Sequence, residues 1–443
     1  MKNKNLLRMT SLLGVLVMAG CSVPNAPVLN NENINNTLEG NEVVKIMPEN
    51  YTGGQLSPEE GMIPGDAEIK ALSDASLNVF YNTMKSGEAN SNVLISPASL
   101  SFAFGIAENG AEGNTLKQME ETVNGGIPVE DINPILNYTS YKLNNAEDVK
   151  WGVANSLWFN DNGSCKMEDE FLKKAVSYYD AEVYEKVFDE SVIDEINNWI
   201  YKKTDHMIDK VIDEYSKDAM LFIVNAMAFE GEWQEQYEKN DVFENMKFNN
   251  SDGTQSDVTL LHSTEGRYFE LGEGTGFIKP YKGGQYAFVG ILPDEGVTPE
   301  EYVEGLVNGN EDFSEAVRNA EYGDVEVYLP EFDADYDKLM NDIYKDMGMD
   351  LPFDEDKAEF KGFFTDDETS DVWIGKVLHK THIEVDRKGT KAAAVTVIEV
   401  DKCMALPVFD DPVVIRLDRP FVYAIVDTET GTPIFLGCQN SIK

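Results

Sequence analysis

Residues Met9–Met18 form an almost unbroken apolar run behind Lys2, Lys4 and Arg8. Spanning a bilayer takes about 20 residues, so this run fits an export leader better than a membrane helix. From Ser22 to about Gly65, Asn, Pro, Gly and Glu crowd the chain and no period of 2 or 3.6 persists. That stretch reads as a flexible tether. At Asp66 the pattern changes. Leu72, Ala75, Val79, Phe80 and Met84 recur at helical spacing, Pro97 opens a second helical stretch through Ala103 and Ile106, and Asp194–Lys203 carries a third around Ile196, Trp199 and Ile200. Strand-like runs follow at Leu221–Phe229, Tyr286–Leu292, Val325–Leu329, Val413–Leu417 and Phe421–Val426, with Pro293-Asp294-Glu295-Gly296 as a turn after the second. Helices come first and strands dominate later, without regular βαβ alternation, a second linker or a fixed repeat. The expectation is an α+β protein: a leader over 1–20, a tether over 21–65, and one large domain over 66–443 with mainly antiparallel sheets and surrounding helices.

Charge narrows the function classes. The 443 residues hold 36 Lys and Arg against 80 Asp and Glu, a net charge of −44. Such a chain repels phosphate backbones, so no nucleic-acid partner is expected. Hydrophobic residues are 42% and aromatics 10% of the chain, ample for a core, so the charge belongs on the surface of a soluble, mutually repelling protein, expected as a monomer. Four cysteines are present: Cys21, Cys165, Cys403 and Cys438. Val17-Met18-Ala19-Gly20-Cys21 resembles the lipobox of bacterial lipoproteins, in which the cysteine thiol is diacylated and becomes the new N-terminus. An ordinary cleaved leader with an incidental cysteine is the plainer alternative. The lipobox reading makes Cys21 a lipid anchor and places the body outside the cytoplasm, on a bacterial membrane or cell surface. Three cysteines then remain, so at least one is free or pairs between chains.

Enzyme chemistry is hard to find. The histidines are His206, His262, His379 and His382. His379 and His382 invite a metal reading, but Val377, His379, Thr381, Ile383 and Val385 alternate with Leu378, Lys380, His382, Glu384 and Asp386. Period 2 makes this a strand with His379 on the apolar face and His382 on the polar, solvated one, where the pair cannot chelate one ion. No GxSxG elbow, P-loop or GxGxxG occurs. The carboxylates are too many for any pair to stand out, and the acidic stretch Asp366–Asp371 lacks the glycine and spacing of an EF-hand. Neither a catalytic residue, a metal nor a cofactor is expected.

One segment stands out. In Gly389 to Asp401 the alternate residues Thr390, Ala392, Ala394, Thr396, Ile398 and Val400 are uncharged, and the first four are small. Lys391, Glu399 and Asp401 lie on the other face. This is a strand whose inward face is small enough to slip between existing strands. A permanent central strand fits the periodicity as well, but the loop-like stretch Lys402-Cys403-Met404-Ala405-Leu406-Pro407 and Asp410-Asp411-Pro412 follows it.

Here the chain resembles the serpin family. Gly389-Thr390-Lys391-Ala392-Ala393-Ala394 is similar to the proximal hinge of the serpin reactive-centre loop. Asn92-Val93-Leu94-Ile95-Ser96-Pro97-Ala98-Ser99 and Gly110-Ala111-Glu112-Gly113-Asn114-Thr115 resemble the entry to and exit from the family's helix B. Asn225, Phe229, Gly231 and Trp233 match N-x-x-x-F-x-G-x-W. Leu292-Pro293-Asp294-Glu295-Gly296, Leu329-Pro330-Glu331-Phe332, and Arg419-Pro420-Phe421 through Phe435-Leu436-Gly437 also fit, in the family's order, from Asp66 to the C-terminus.

The resemblance implies a fold with an exposed reactive-centre loop. It also implies a shutter of Ser96, Ser99, Asn225 and His379 beneath the central sheet, with Trp233 at the breach where the loop enters. For Phe229 and Trp233, core packing is the plainer role. It further implies a suicide substrate: a serine or cysteine protease attacks the loop, forms an acyl-enzyme, and is carried away as the cleaved loop inserts into the sheet. Counting from the hinge places the reactive bond at Cys403–Met404, with Lys402–Cys403 and Met404–Ala405 as neighbours. Cys403 or Met404 suits an uncharged specificity pocket, Lys402 a trypsin-like one. Arg387 departs from the glutamate usual in the family and leaves the local hinge contacts open. The rivals are a non-inhibitory binding or carrier protein of the same fold, and an unrelated hydrolase. Small inward hinge residues favour the inhibitor.

Overall fold

The computed structural model describes residues 13–21 (backbone only), 43–48, 51, 54–58, 63–88, 90–161, 166–204, 206, 208, 210–214, 219–309, 311–365, 372–390 and 413–442. Helices α1 (Asp66–Ser86), α2 (Pro97–Glu108), α3 (Gly113–Val123), α4 (Val129–Asn144), α5 (Asp169–Tyr179) and α6 (Ser191–Lys203) precede most strands; α7 (Pro299–Gly309), α8 (Phe313–Arg318) and α9 (Asn341–Asp346) fall between later ones. An eight-stranded sheet is built from β1 (Leu13–Cys21), β2 (Val44–Ile46), β4 (Lys150–Asn160), β5 (Glu182–Lys186), β6 (Ala219–Glu232), β12 (Phe332–Leu339), β13 (Val372–Val385) and β14 (Gly389–Thr390). A nine-stranded sheet holds β3 (Val93–Ile95), β7 (Val242–Asn249), β8 (Gln255–Glu270), β9 (Gly274–Pro280), β10 (Tyr286–Pro293), β11 (Glu321–Pro330), β15 (Val413–Arg416), β16 (Phe421–Asp427) and β17 (Pro433–Gln439). Pairing is antiparallel apart from β4 with β5 and β11 with β15. This is the α+β architecture expected, and the helices over Asp66–Ser86, Pro97–Glu108 and Ser191–Lys203 and the five strand-like runs read between Leu221 and Val426 are present. Of the strand read from Gly389 to Asp401, only Gly389 and Thr390 are among the described residues.

Helix α2 joins the two layers. Ser96 caps it by accepting the Ser99 N–H, Pro97 fills the first turn, and nearly every residue from Pro97 to Glu108 is buried. A helix apolar on all sides belongs in a core, and α2 touches β6 and β17, one strand from each sheet. The core is one continuous cluster through both layers.

Across the first sheet the order is β12, β13, then β1 and β14 sharing one track, then β6, β4, β5 and β2. β13 and β6 therefore lie on either side of a single strand track. At its upper end Thr390 pairs with Val385 and Gly231. Lower down Leu13–Cys21, the end of the segment read as a leader, pairs with Thr381 through Val372 on β13 and with Ala226 through Ala219 on β6.

Between β1 and α1, Val44–Ile46 adds an edge strand to β5, and the Leu56 N–H donates to the Ser177 carbonyl at 2.7 Å. The Lys45 ammonium pairs with Glu182, which also accepts from Trp199 Nε1 at 2.7 Å and pairs with Lys203 at 3.1 Å. Burial alone would raise Glu182, but hydrogen bonds from Lys45, Trp199, Lys203 and Tyr184 outweigh it and hold its carboxyl at about 2. The segment thus carries a short docked strap within the stretch read as tether.

Candidate functional site

Thr390 is fully buried at the head of the track. Its Oγ1 lies 2.5 Å from the Tyr281 hydroxyl. The turn leading to it is tied by Asp386, whose Oδ1 accepts from Lys388 N at 2.7 Å and Gly389 N at 3.1 Å. Gly389 is required by close approach: a side chain there would overlap the Gly231 carbonyl oxygen. Trp233, 2% exposed, stacks on Tyr281 at 4.8 Å and donates from Nε1 to the Asp386 carbonyl at 2.8 Å and from its backbone N–H to the Lys388 carbonyl at 2.9 Å. Trp233, expected at the breach, thus packs against the turn that leads to Thr390. Arg387 finds a partner that the sequence did not disclose, its Nε donating to Glu331 Oε1 at 3.2 Å at the foot of β12.

Below the hinge the two banks of the track are tied to the start of α2. On β13, His379 is fully buried and its Nε2 accepts the Ser96 N–H at 3.0 Å. Burial pushes its imidazole down to about 3, so it is neutral and carries its proton on Nδ1. On β6, Asn225 Oδ1 accepts from Ser99 Oγ, and its Nδ2 donates to Asn155 Oδ1 at 2.8 Å. Ser96 Oγ donates to the Ile434 carbonyl at 2.8 Å, anchoring the group to β17. Val15 pairs with His379 on one side and Asn225 on the other, so these two residues occupy the same rung across the track. All four shutter residues are together. Asn155 was missed; a buried polar residue within the apolar run Val153–Phe159 was its available signal.

His382 needs correction. Alternation placed it on a solvated face, yet it is 2% exposed, with Nδ1 2.7 Å from Asp335 Oδ1. β12 pairs His382 with Asp335, and the outward face of β13 is crossed farther down by the chain after α6, where Lys380 Nζ reaches the Lys210 carbonyl at 3.2 Å. The rule of one wet face fails at this position, although Leu378, Lys380 and Glu384 on the same face stay half-buried. Lys391, Ala392, Ala393, Ala394, Lys402, Cys403, Met404 and Ala405, together with Cys165, lie outside the described residues. Cys438 is a buried free thiol, pushed up to about 12 by burial and therefore unreactive.

What the arrangement offers is an antiparallel strand track, one strand wide, with Gly389 and Thr390 paired at its head. A family model described as Serpin (serine protease inhibitor) matches residues 71–441. Human neuroserpin is 27% identical over 390 residues, covering 83% of this chain and 90% of its own. An uncharacterized serpin-like protein of Thermococcus kodakarensis is 29% identical over 363 residues, covering 80% of this chain and 82% of its own. The crystal structure of the thermophilic serpin tengpin in its native state matches with a TM-score of 0.79 at 35% identity, over 90% of this chain and all of that one. Human thyroxine-binding globulin, in complex with thyroxine, has the same fold at a TM-score of 0.70 and 20% identity, over 85% of this chain and 99% of its own.

Proposed function

The chain belongs to the serpin family, and from that membership we propose that it is a suicide-substrate inhibitor of a serine or cysteine endopeptidase. The observation that carries the reading is the register of the hinge. Thr390 stands opposite Val385 and Gly231. Were both pairings continued, residue 396 would fall on the rung of His379 and Asn225 and residue 403 opposite Val372, the first residue of β13. β13 spans 14 residues, matching the stretch from Thr390 to Cys403, which at ~3.3 Å per residue reaches ~46 Å. In an antiparallel pair, opposed residues face the same side. Thr390 and Val385 are both buried, so Ala392, Ala394, Thr396 and Ile398 would enter core-side, while Lys391 and Glu399 stay outward. The leader backbone already occupies the lower rungs, with Leu13 opposite Thr381 and Cys21 opposite Val372. That supports a track able to accept a full antiparallel strand.

The chemistry follows. The protease nucleophile attacks the carbonyl at Cys403, the bond to Met404 breaks, the Met404 nitrogen leaves with a proton, and Cys403 remains as an ester or thioester on the enzyme. Insertion to the Val372 end drags that acyl end the length of the sheet before water can cleave it. Lys402–Cys403 and Met404–Ala405 remain neighbouring bonds. Export, removal of residues 1–20 and lipidation of Cys21 would clear the track and hold the body at a bacterial surface.

The test uses the chain lacking residues 1–21. Its loop is nicked by a non-target protease and its melting followed. The reading expects a marked rise in Tm, as a new central strand enters. An unchanged Tm would favour a carrier of the same fold with a closed sheet.

A further inference from the structure

The outward face of β7, β8, β11 and β15 carries a row of side chains that the trapping mechanism does not use. The Phe243 ring lies 6.3 Å from His262, His262 lies 4.8 Å from Tyr328, and the Arg416 guanidinium sits 4.6 Å over the Tyr328 ring. Strand pairing sets the row, with His262 opposite Tyr328 and Tyr328 opposite Arg416. Phe243 is 42% and the neighbouring Val414 59% exposed. Carboxylates fix the polar members: Glu326 pairs with His262 Nε2, and Asp418 Oδ2 accepts from Arg416 Nε at 2.7 Å. Aromatic and arginine side chains held rigid on an open face are the residue types that dominate interfaces.

We propose that this row is an exosite for the target protease, engaging a surface of apolar and basic side chains outside the protease's cleft. The inference rests on the inhibitor reading above.

Position argues for this occupant. β15 begins at Val413, where the loop rejoins the body, and nine residues, 404–412, separate it from the bond at Cys403–Met404. At ~3.3 Å each they extend at most about 30 Å, so a protease docked on that bond is held over this end of the molecule. The other stem is as close. The Tyr237 N–H donates to the Arg387 carbonyl at 3.3 Å, five residues before Val242 opens β7. The row therefore lies between the two roots of the loop. Its charge complements a basic partner: Glu326, opposite Val414 and paired with His262, and Asp418, paired with Arg416, line the row, on a chain of net charge −44.

The test takes a protease that forms a denaturant-stable adduct with the chain lacking residues 1–21. It compares association rate constants for wild type, Phe243→Ser and Val414→Lys, the latter at an exposed position opposite Glu326. A synthetic peptide copying residues 394–412 serves as a substrate lacking the face. The exosite predicts association about 10-fold slower for either variant, with stoichiometry and Tm unchanged, peptide cleavage well below loop attack, and a wild-type rate that falls with salt. Variant rates within twofold of wild type, with adduct still forming, would overturn the exosite and leave the inhibitor reading intact. No adduct with any protease would overturn both.

Discussion

Glu108 closes helix α2 with its carboxyl in the core, 1% exposed. Oε2 accepts from Asn124 Nδ2 at 2.7 Å, and Oε1 has no hydrogen-bond partner among the described residues. Burial is the main cause that pushes the group from an ordinary 4.5 to about 8, with the Glu120 carboxylate adding to it and Asn124 opposing. Tyr179 and Tyr344, from α5 and α9, also feel its charge. Because the folded value lies above the unfolded one, Glu108 favours the folded state fully below pH 4.5. That contribution is lost progressively as pH rises to about 8. At pH 7 the loss comes to about 3 kcal/mol, 2.5 pH units above 4.5 at 1.36 kcal/mol each. Glu108→Gln removes the titration while keeping the acceptor for Asn124. The difference in stability between the two chains should move by about 3 kcal/mol in favour of Gln between pH 4.5 and 7. In Tm that is a relative gain of about 5 °C for a domain this size. Melting curves at half-unit steps of pH would show it. A constant gap across that range would refute the reasoning, because the substitution would then act through packing alone.

Thr390→Glu would set a carboxylate against Tyr281 in a fully buried position, at a cost of several kcal/mol unless it is paired. Each 1.4 kcal/mol lost from insertion shifts the partition tenfold toward ordinary cleavage. The stoichiometry of inhibition should rise at least about tenfold while loop cleavage continues; a value near that of wild type would contradict a buried hinge. Arg387→Glu opposes like charges across the contact with Glu331 and should lower Tm. The double change Arg387→Glu with Glu331→Arg should recover a coupling of about 1 kcal/mol, modest because Arg387 is half exposed. A double-mutant cycle with no coupling would reject the ion pair.

Much of the fold was legible where a single period dominates. The apolar stripe of α1 prints a helical period, the continuous apolar run of β6 has the length and β-branched and aromatic content of a buried strand, and alternation alone put His379 on the core face, where it is fully buried. The same alternation failed for His382, because its face of β13 is only partly wet: Leu378, Lys380 and Glu384 stay half-buried there, while His382 is buried beside Asp335 of the neighbouring strand. Three residues, Val44–Ile46, are too few to print a period, so the docked strap was read as tether. The shutter residues came from family likeness rather than spacing. Their partners are distant in sequence: Asn155 lies 70 residues from Asn225, and Tyr281 lies 109 from Thr390. Glu331, which answers the unusual Arg387, is 56 residues away in the link between β11 and β12. Such pairs exist only once the sheet has set the register.

The most direct test of the inhibitory trap is intact mass under denaturing conditions, after mixing the chain lacking residues 1–21 with a panel of serine and cysteine proteases. A trap ending opposite Val372 predicts a covalent protease adduct and release of the peptide beginning at Met404, or one residue to either side. Complete cleavage of the loop with no adduct from any protease, and no gain in Tm of the cleaved chain, would contradict it.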